Sequence, residues 1–140
     1  MAAWARAGET RQTGPQLPLD ELQAACDRLF RRVAEAREWG ELRDCATELR
    51  FLSLHAERLV EATICEYGEG RRREIDAASA ALTRVREQLA MVGPAPRMLR
   101  GPSFMARRNA LYDALAHLRY GLVTLGWARL EKPRGSTLTG

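Results

Sequence analysis

Apolar residues recur along this chain at steps of three and four, and almost nowhere at steps of two. Leu19, Leu22, Cys26, Leu29, Phe30, Val33 and Ala36 fall on one helical face, predicting a first helix over about 18–39 that Gly40 ends. Pro18 suits a first turn, and Asp20 and Glu21 suit the positive end of a helix dipole. Leu42, Cys45, Leu49, Leu52, Ala56, Leu59, Thr63 and Tyr67 form the stripe of a second helix over about 41–67, stopped by Gly68 to Gly70. Phe51 and Leu54 lie off that stripe, so this helix is expected to touch neighbours on two sides. Ile75, Ala78, Leu82, Val85, Leu89 and Val92 alternate steps without a break over about 71–92, the cleanest bundle seam in the chain. Gly93 to Pro96 ends it.

A fourth helix opens at Ser103, a good N-cap, and carries Leu111, Leu115, Leu118, Leu122 and Leu125. Gly121 and Gly126 each cost about 1 kcal/mol in a helix interior. Close approach of a neighbouring helix is the expected reason for Gly121, and fraying for Gly126. Nothing alternates as a half-buried strand would. With short connections, the expected fold is all-α: an antiparallel up-down-up-down four-helix bundle over residues 18–131, whose long second and fourth helices could also serve dimerisation. Residues 1–17 read as a flexible arm and 132–140 as a tail.

A chain of 140 residues fits one such domain. Its 46% hydrophobic content is ordinary, and its net charge of +4 is modest. The distribution is less even. Residues 1–70 carry nine basic and thirteen acidic side chains, a balance of −4; residues 71–140 carry thirteen and five, a balance of +8. Of the 22 basic residues only Lys132 is lysine. Arginine makes bidentate and stacked contacts that lysine does not. Either an anionic partner for the second half or attraction between the halves would account for the asymmetry. Three widely spaced cysteines, Cys26, Cys45 and Cys65, read as reduced thiols in the core of a cytoplasmic protein. The first residues show no apolar stretch of a secretory signal, and the run Tyr120 to Ala128 is far short of the ~20 residues a membrane helix needs.

The chemistry-bearing residues are few. Leu52 and Ala114 stand three positions before His55 and His117, so the Glu-x-x-His pattern of di-metal bundles is missing, and neither metal nor cofactor is expected. Asp113 lies one turn before His117, where a carboxylate orients an imidazole for acid–base work, and Tyr120 is one turn further on. With His55 and Glu61 of the second helix, these could line a pocket between the second and fourth helices. No phosphate loop, nucleophile elbow or zinc spacing occurs. The stretch Arg97 to Arg108 has four arginines and no acid. Arg97, Arg100, Arg107 and Arg108 are there to bind an acidic partner, or to clasp Glu38, Glu41 and Asp44 in the turn between the first two helices. The other basic group, Arg71 to Arg73 with Arg129, Lys132 and Arg134, falls at the opposite end. Two separated poles argue against nucleic acid, which needs a continuous basic track.

Three stretches resemble a family of small helical actinomycete proteins linked to natural-product biosynthesis, with no assigned activity. They are Glu48 to Ala62, Glu74 to Leu89, and Ala106 to Leu118, the last placing Arg107, Arg108, Ala110, Ala114 and Leu115 in matching positions. The resemblance covers about residues 42–122 and implies a setting in secondary metabolism. The expected function is a small cytoplasmic accessory protein that binds a protein partner or itself. One alternative is a small pathway enzyme using His117 and Asp113 as an acid–base pair, with Tyr120, Glu61 or His55 positioning a small molecule. Another is a DNA-binding regulator.

Overall fold

The computed structural model describes residues 18–92 and 103–130. The expected arm and tail, and the Arg97–Arg100 part of the basic connection, lie outside the described residues. Four α-helices pack as a helical bundle, and no strand occurs among the described residues: α1 (Leu19–Glu35), α2 (Trp39–Tyr67), α3 (Arg72–Val92) and α4 (Phe104–Leu130). A single 3₁₀ turn, Gly68–Arg71, joins α2 to α3.

α1 ends four residues before the expected position, at Glu35, and Trp39 belongs to the first turn of α2 instead. The cause is a cap. The Glu41 carboxylate reaches back to accept from the backbone N–H of Arg37 at 2.6 Å and of Glu38 at 3.3 Å. These bonds satisfy donors that a continuous helix would have used internally. The Arg37 bond first, then the Glu38 bond, hold the Glu41 carboxyl below its usual range. Gly40 is therefore inside α2, not a stop signal. Gly68 ends α2 at φ 55°, a backbone conformation that favours glycine.

The leucine stripes meet in the centre. Ile75, Ala78, Leu82, Val85, Leu89 and Val92 are all buried, as are Leu111, Leu115, Leu118, Leu122 and Leu125. They face Leu22, Leu29 and Val33 of α1 and Leu42, Leu49, Leu52 and Leu59 of α2 in one continuous core. Each such side chain removed from water contributes about 1.5–3 kcal/mol. Phe30 stacks on Tyr112 at the α1–α4 edge, with ring centroids 6.2 Å apart.

The most extensive pairing is α3 with α4; α2 also meets α3 and α4, and α1 meets α2 and α4. At Gly121 α4 packs directly against Ala78, Ala81 and Leu82 of α3. A Cβ there would stand 3.4 Å from Ala81 Cβ and 3.6 Å from the Ala78 carbonyl oxygen. Gly126 does not fray. It lies inside α4, where a Cβ would come within 3.2 Å of Leu19 Cδ2, so its second hydrogen atom makes room for the first turn of α1. Cross-links between elements run from the end of α3 to the start of α4 (Val92–Arg107), from the end of α1 to the start of α4 (Ala36–Arg108), and from the end of α2 to the end of α4 (Tyr67–Arg129).

Candidate functional site

Helix C-termini leave four carbonyls without an intrahelical donor. In this bundle arginines from neighbouring helices supply several. Arg107 Nη1 donates to the Val92 carbonyl at the end of α3. Arg108 Nη2 donates to the Ala36 carbonyl at the end of α1, at 2.7 Å. At the other pole Arg71 Nε donates to the Ala128 carbonyl of α4 at 3.2 Å. Each also sets a positive charge against the negative end of a helix dipole.

The surroundings of these groups are aromatic. Arg107 is buried at 4% exposure, with its guanidinium 4.5 Å from the Trp39 ring centroid. Arg108 lies over Phe104 at 5.2 Å, and Arg129 over Tyr67 at 5.6 Å. Arg129 also donates to Thr63 Oγ1 at 2.9 Å and pairs with Glu66 at 3.0 Å, while the Tyr67 hydroxyl donates to the Arg129 carbonyl. Arg107 and Arg108, expected either to bind an acidic partner or to clasp the acids of the turn between the first two helices, donate to backbone carbonyls. Ser103 Oγ accepts from the Ala106 N–H at 3.0 Å and caps α4. Of the expected clasp acids, Glu41 is engaged in its own capping bonds.

The residues expected to share a pocket are not gathered. Asp113 and His117 do meet: His117 Nδ1 donates to the Asp113 carbonyl at 2.8 Å, and the Asp113 carboxylate is 3.6 Å away. Since a carbonyl only accepts, Nδ1 carries the proton in this contact. His117 stands one turn before Gly121, on the edge of α4 turned to α3. His55 is buried on α2, edge-on to Phe51 with centroids 4.8 Å apart. It is two turns beyond Glu48, which pairs with Arg32 of α1, so it occupies the α1 edge. Glu61 is exposed on α2, about 120° around the helix from His55. Burial, then the charge of Arg58, push the His55 pKa down.

The surface grooves lie elsewhere. One of about 320 Å³ between the end of α1 and the start of α2 is lined by Arg32, Glu35, Glu41, Asp44 and Cys45. Another opens between Glu35, Arg37, Phe104 and Arg108. Cys45 and Cys26 are buried thiols. Burial pushes Cys26 up to about 12, with the neighbouring Asp27 charge adding and Arg119 opposing. Cys45 is likewise raised, chiefly by burial. Cys65 is exposed, against the expectation of three core thiols. No group of three or more His, Cys, Asp or Glu side chains that could hold a metal occurs among the described residues, and no described helix is long and apolar enough to cross a membrane.

What the sequence reading missed is the outer face of α4. Besides its buried leucines, this helix has a second apolar line at 116, 120, 123 and 127, spaced four, three and four. Tyr120 is 57% exposed, Val123 41% and Trp127 64%. Ala116 is exposed beside them, Tyr112 is half-buried one turn before, and Met105 is 56% exposed near the helix start. From Ala116 to Trp127 the line has no charged side chain, in a chain that is 29% charged; Asp113 stands one turn before it. The leucine stripe hid it, because a helix that is apolar on two opposite faces no longer shows one dominant period. Comparison with protein-family models, with curated proteins and with solved structures finds no match to this chain.

Proposed function

We propose that this is a non-enzymatic helical accessory protein that works by protein–protein contact through α4. The observation that carries the reading is the exposed line Tyr120, Val123 and Trp127 on a helix whose opposite face is buried. Aromatic side chains of this kind are enriched at the desolvated centres of interfaces and depleted from ordinary surface. Contiguous exposed apolar surface of a few hundred Å² or more marks interaction sites in soluble proteins.

The helix-end contacts of α3 with α4, α1 with α4 and α2 with α4 support an antiparallel up-down-up-down arrangement, which gives α4 a rigid backing. Of the arginines that a DNA-binding reading would enlist, Arg71, Arg107, Arg108 and Arg129 are committed to capping carbonyls or to aromatic rings. The acid–base alternative keeps one feature, the Asp113–His117 contact. A cytoplasmic setting in actinomycete secondary metabolism rests on the three resembling stretches and on the reduced-thiol reading of the cysteines.

The test is site-specific photo-crosslinking in the native host, with a photoreactive phenylalanine analogue at position 120 and, as control, at the exposed position 73. The expected result is one adduct, identified by mass spectrometry, that forms from 120, not from 73, and vanishes with Val123→Glu. Equal labelling from both positions would overturn the reading.

A further inference from the structure

The α4 line has properties that select one kind of occupant. It runs from Met105 to Trp127 in a helix of 27 residues, a span of about 33 Å at 1.5 Å per residue. Its repeat of four, three and four is the spacing at which one helix seats knobs into the holes of another. The exposed parts of Met105, Tyr120, Val123 and Trp127, with Ala116 and Tyr112 between them, amount to roughly 500 Å² on one copy, taking ~150–250 Å² for a whole aromatic side chain. Two copies face to face would bury roughly 1,000 Å², the lower limit for a specific interface and the size of a weak, reversible one.

Charge points the same way. A foreign partner of strong charge would call for a complementary, charged rim. Here the α1 side of the rim is internally paired, Arg119 with Asp27 at 3.2 Å. On the α3 side the rim has a single carboxylate, Asp113, 3.6 Å from His117 Nδ1. From Ala116 to Trp127 the seam itself is uncharged. A two-fold axis requires one patch to complement itself, which a neutral apolar line does and a singly charged one does not. α2 offers a contrast. Phe51 and Leu54 are also exposed, at 40% and 53%, but they are interrupted on the same face by Arg50 and Arg58.

We infer that the partner of the α4 face is a second copy of this chain, in a two-fold dimer with α4 packed against α4 and Trp127, Val123 and Tyr120 in the seam. This rests on the contact reading above and names its partner. Dimerisation would leave both arginine-capped poles of each copy free, because the seam runs along the bundle side.

The test is sedimentation equilibrium of the full chain across the micromolar range. The wild type is expected at twice 15.7 kDa, dissociating on dilution. Val123→Glu and Trp127→Glu should each give a monomer of unchanged helical circular dichroism, since both side chains already face solvent in a single copy. Leu54→Glu on α2 should remain a dimer. A wild-type monomer at the highest concentration overturns the dimer, and so does a dimer that survives Val123→Glu. A monomer that still gives the Val123-dependent host adduct from position 120 overturns self-pairing but leaves the contact reading standing. Flotation of that monomer with anionic vesicles, lost in Trp127→Glu, would instead assign the line to a lipid surface. A monomer with neither property removes both proposals.

Discussion

Arg107 of α4 lies over the Trp39 ring of α2, 4.5 Å from guanidinium carbon to ring centroid, while its Nη1 caps the last carbonyl of α3 at Val92. One buried side chain thus ties three helices at one pole. Arg107→Ala would remove a charged hydrogen bond and a desolvated cation–π contact together, an expected loss of about 2–4 kcal/mol. Arg107→Lys should recover less than half of that, because an ammonium can point at the carbonyl but cannot also lie flat on the indole. Thermal unfolding of the three proteins checks this; equal stability of the alanine variant and wild type would contradict the capping role.

At Gly121 the prediction depends on size. A methyl group there meets Ala81 Cβ at 3.4 Å and Leu82 Cδ2 at 3.8 Å, which is ordinary contact. Replacing glycine with alanine in a helix interior is worth about 0.8–1 kcal/mol. Gly121→Ala should therefore be neutral to mildly stabilising. Gly121→Leu has nowhere to place its branches between α3 and α4, and should lose at least about 1–3 kcal/mol to overpacking. Urea unfolding midpoints should rank alanine at or above glycine, with leucine well below both.

These two positions also show what was legible beforehand. The step pattern located the four helices and every buried leucine of α3 and α4, because burial of one face writes its period into the sequence. Gly121 could be read from its cost alone. The role of Arg107 could not, since a capping arginine and a solvent-facing one look alike until the helix ends are placed side by side. For the same reason the break at Glu35 was invisible: it depends on the Glu41 carboxylate turning back to the Arg37 and Glu38 amides. Trp127 was hidden by geometry, because residues on opposite faces of α4 together read as an apolar run.

Thiol reactivity should divide by burial. The thiolate is the nucleophile, so a group pushed up to about 12, as Cys26 is, stays protonated at neutral pH, and its thiol also donates to the Leu115 carbonyl at 3.7 Å. Cys45 is raised and buried as well. Only Cys65 is exposed. Ellman's reagent should therefore label one thiol quickly in the folded protein and all three in denaturant. Cys65→Ser should abolish the fast phase, and fast labelling of two or three thiols in the native state would contradict the packing of α1 and α2.

The last prediction concerns acid. His55 is buried at the α1 edge of α2 against Phe51, and burial, helped by the charge of Arg58, lowers its pKa below the ordinary value of about 6.5. The folded protein therefore holds the proton less well than the unfolded chain. Below about pH 6.5 the unfolded state binds more protons, so stability declines as pH falls, by at most about 1.4 kcal/mol per pH unit for one proton. The decline stops once pH drops past the folded-state value. Above about pH 7 this group contributes no slope. Glu41 acts in a lower window: its carboxyl is depressed, so the stability it adds is present above the unfolded-state value and lost as pH falls through the folded one. His55→Gln should remove the upper window and leave the lower. Unfolding midpoints between pH 7 and pH 5 should fall for the wild type and stay nearly level for the variant; parallel curves would show that His55 is as well solvated folded as unfolded.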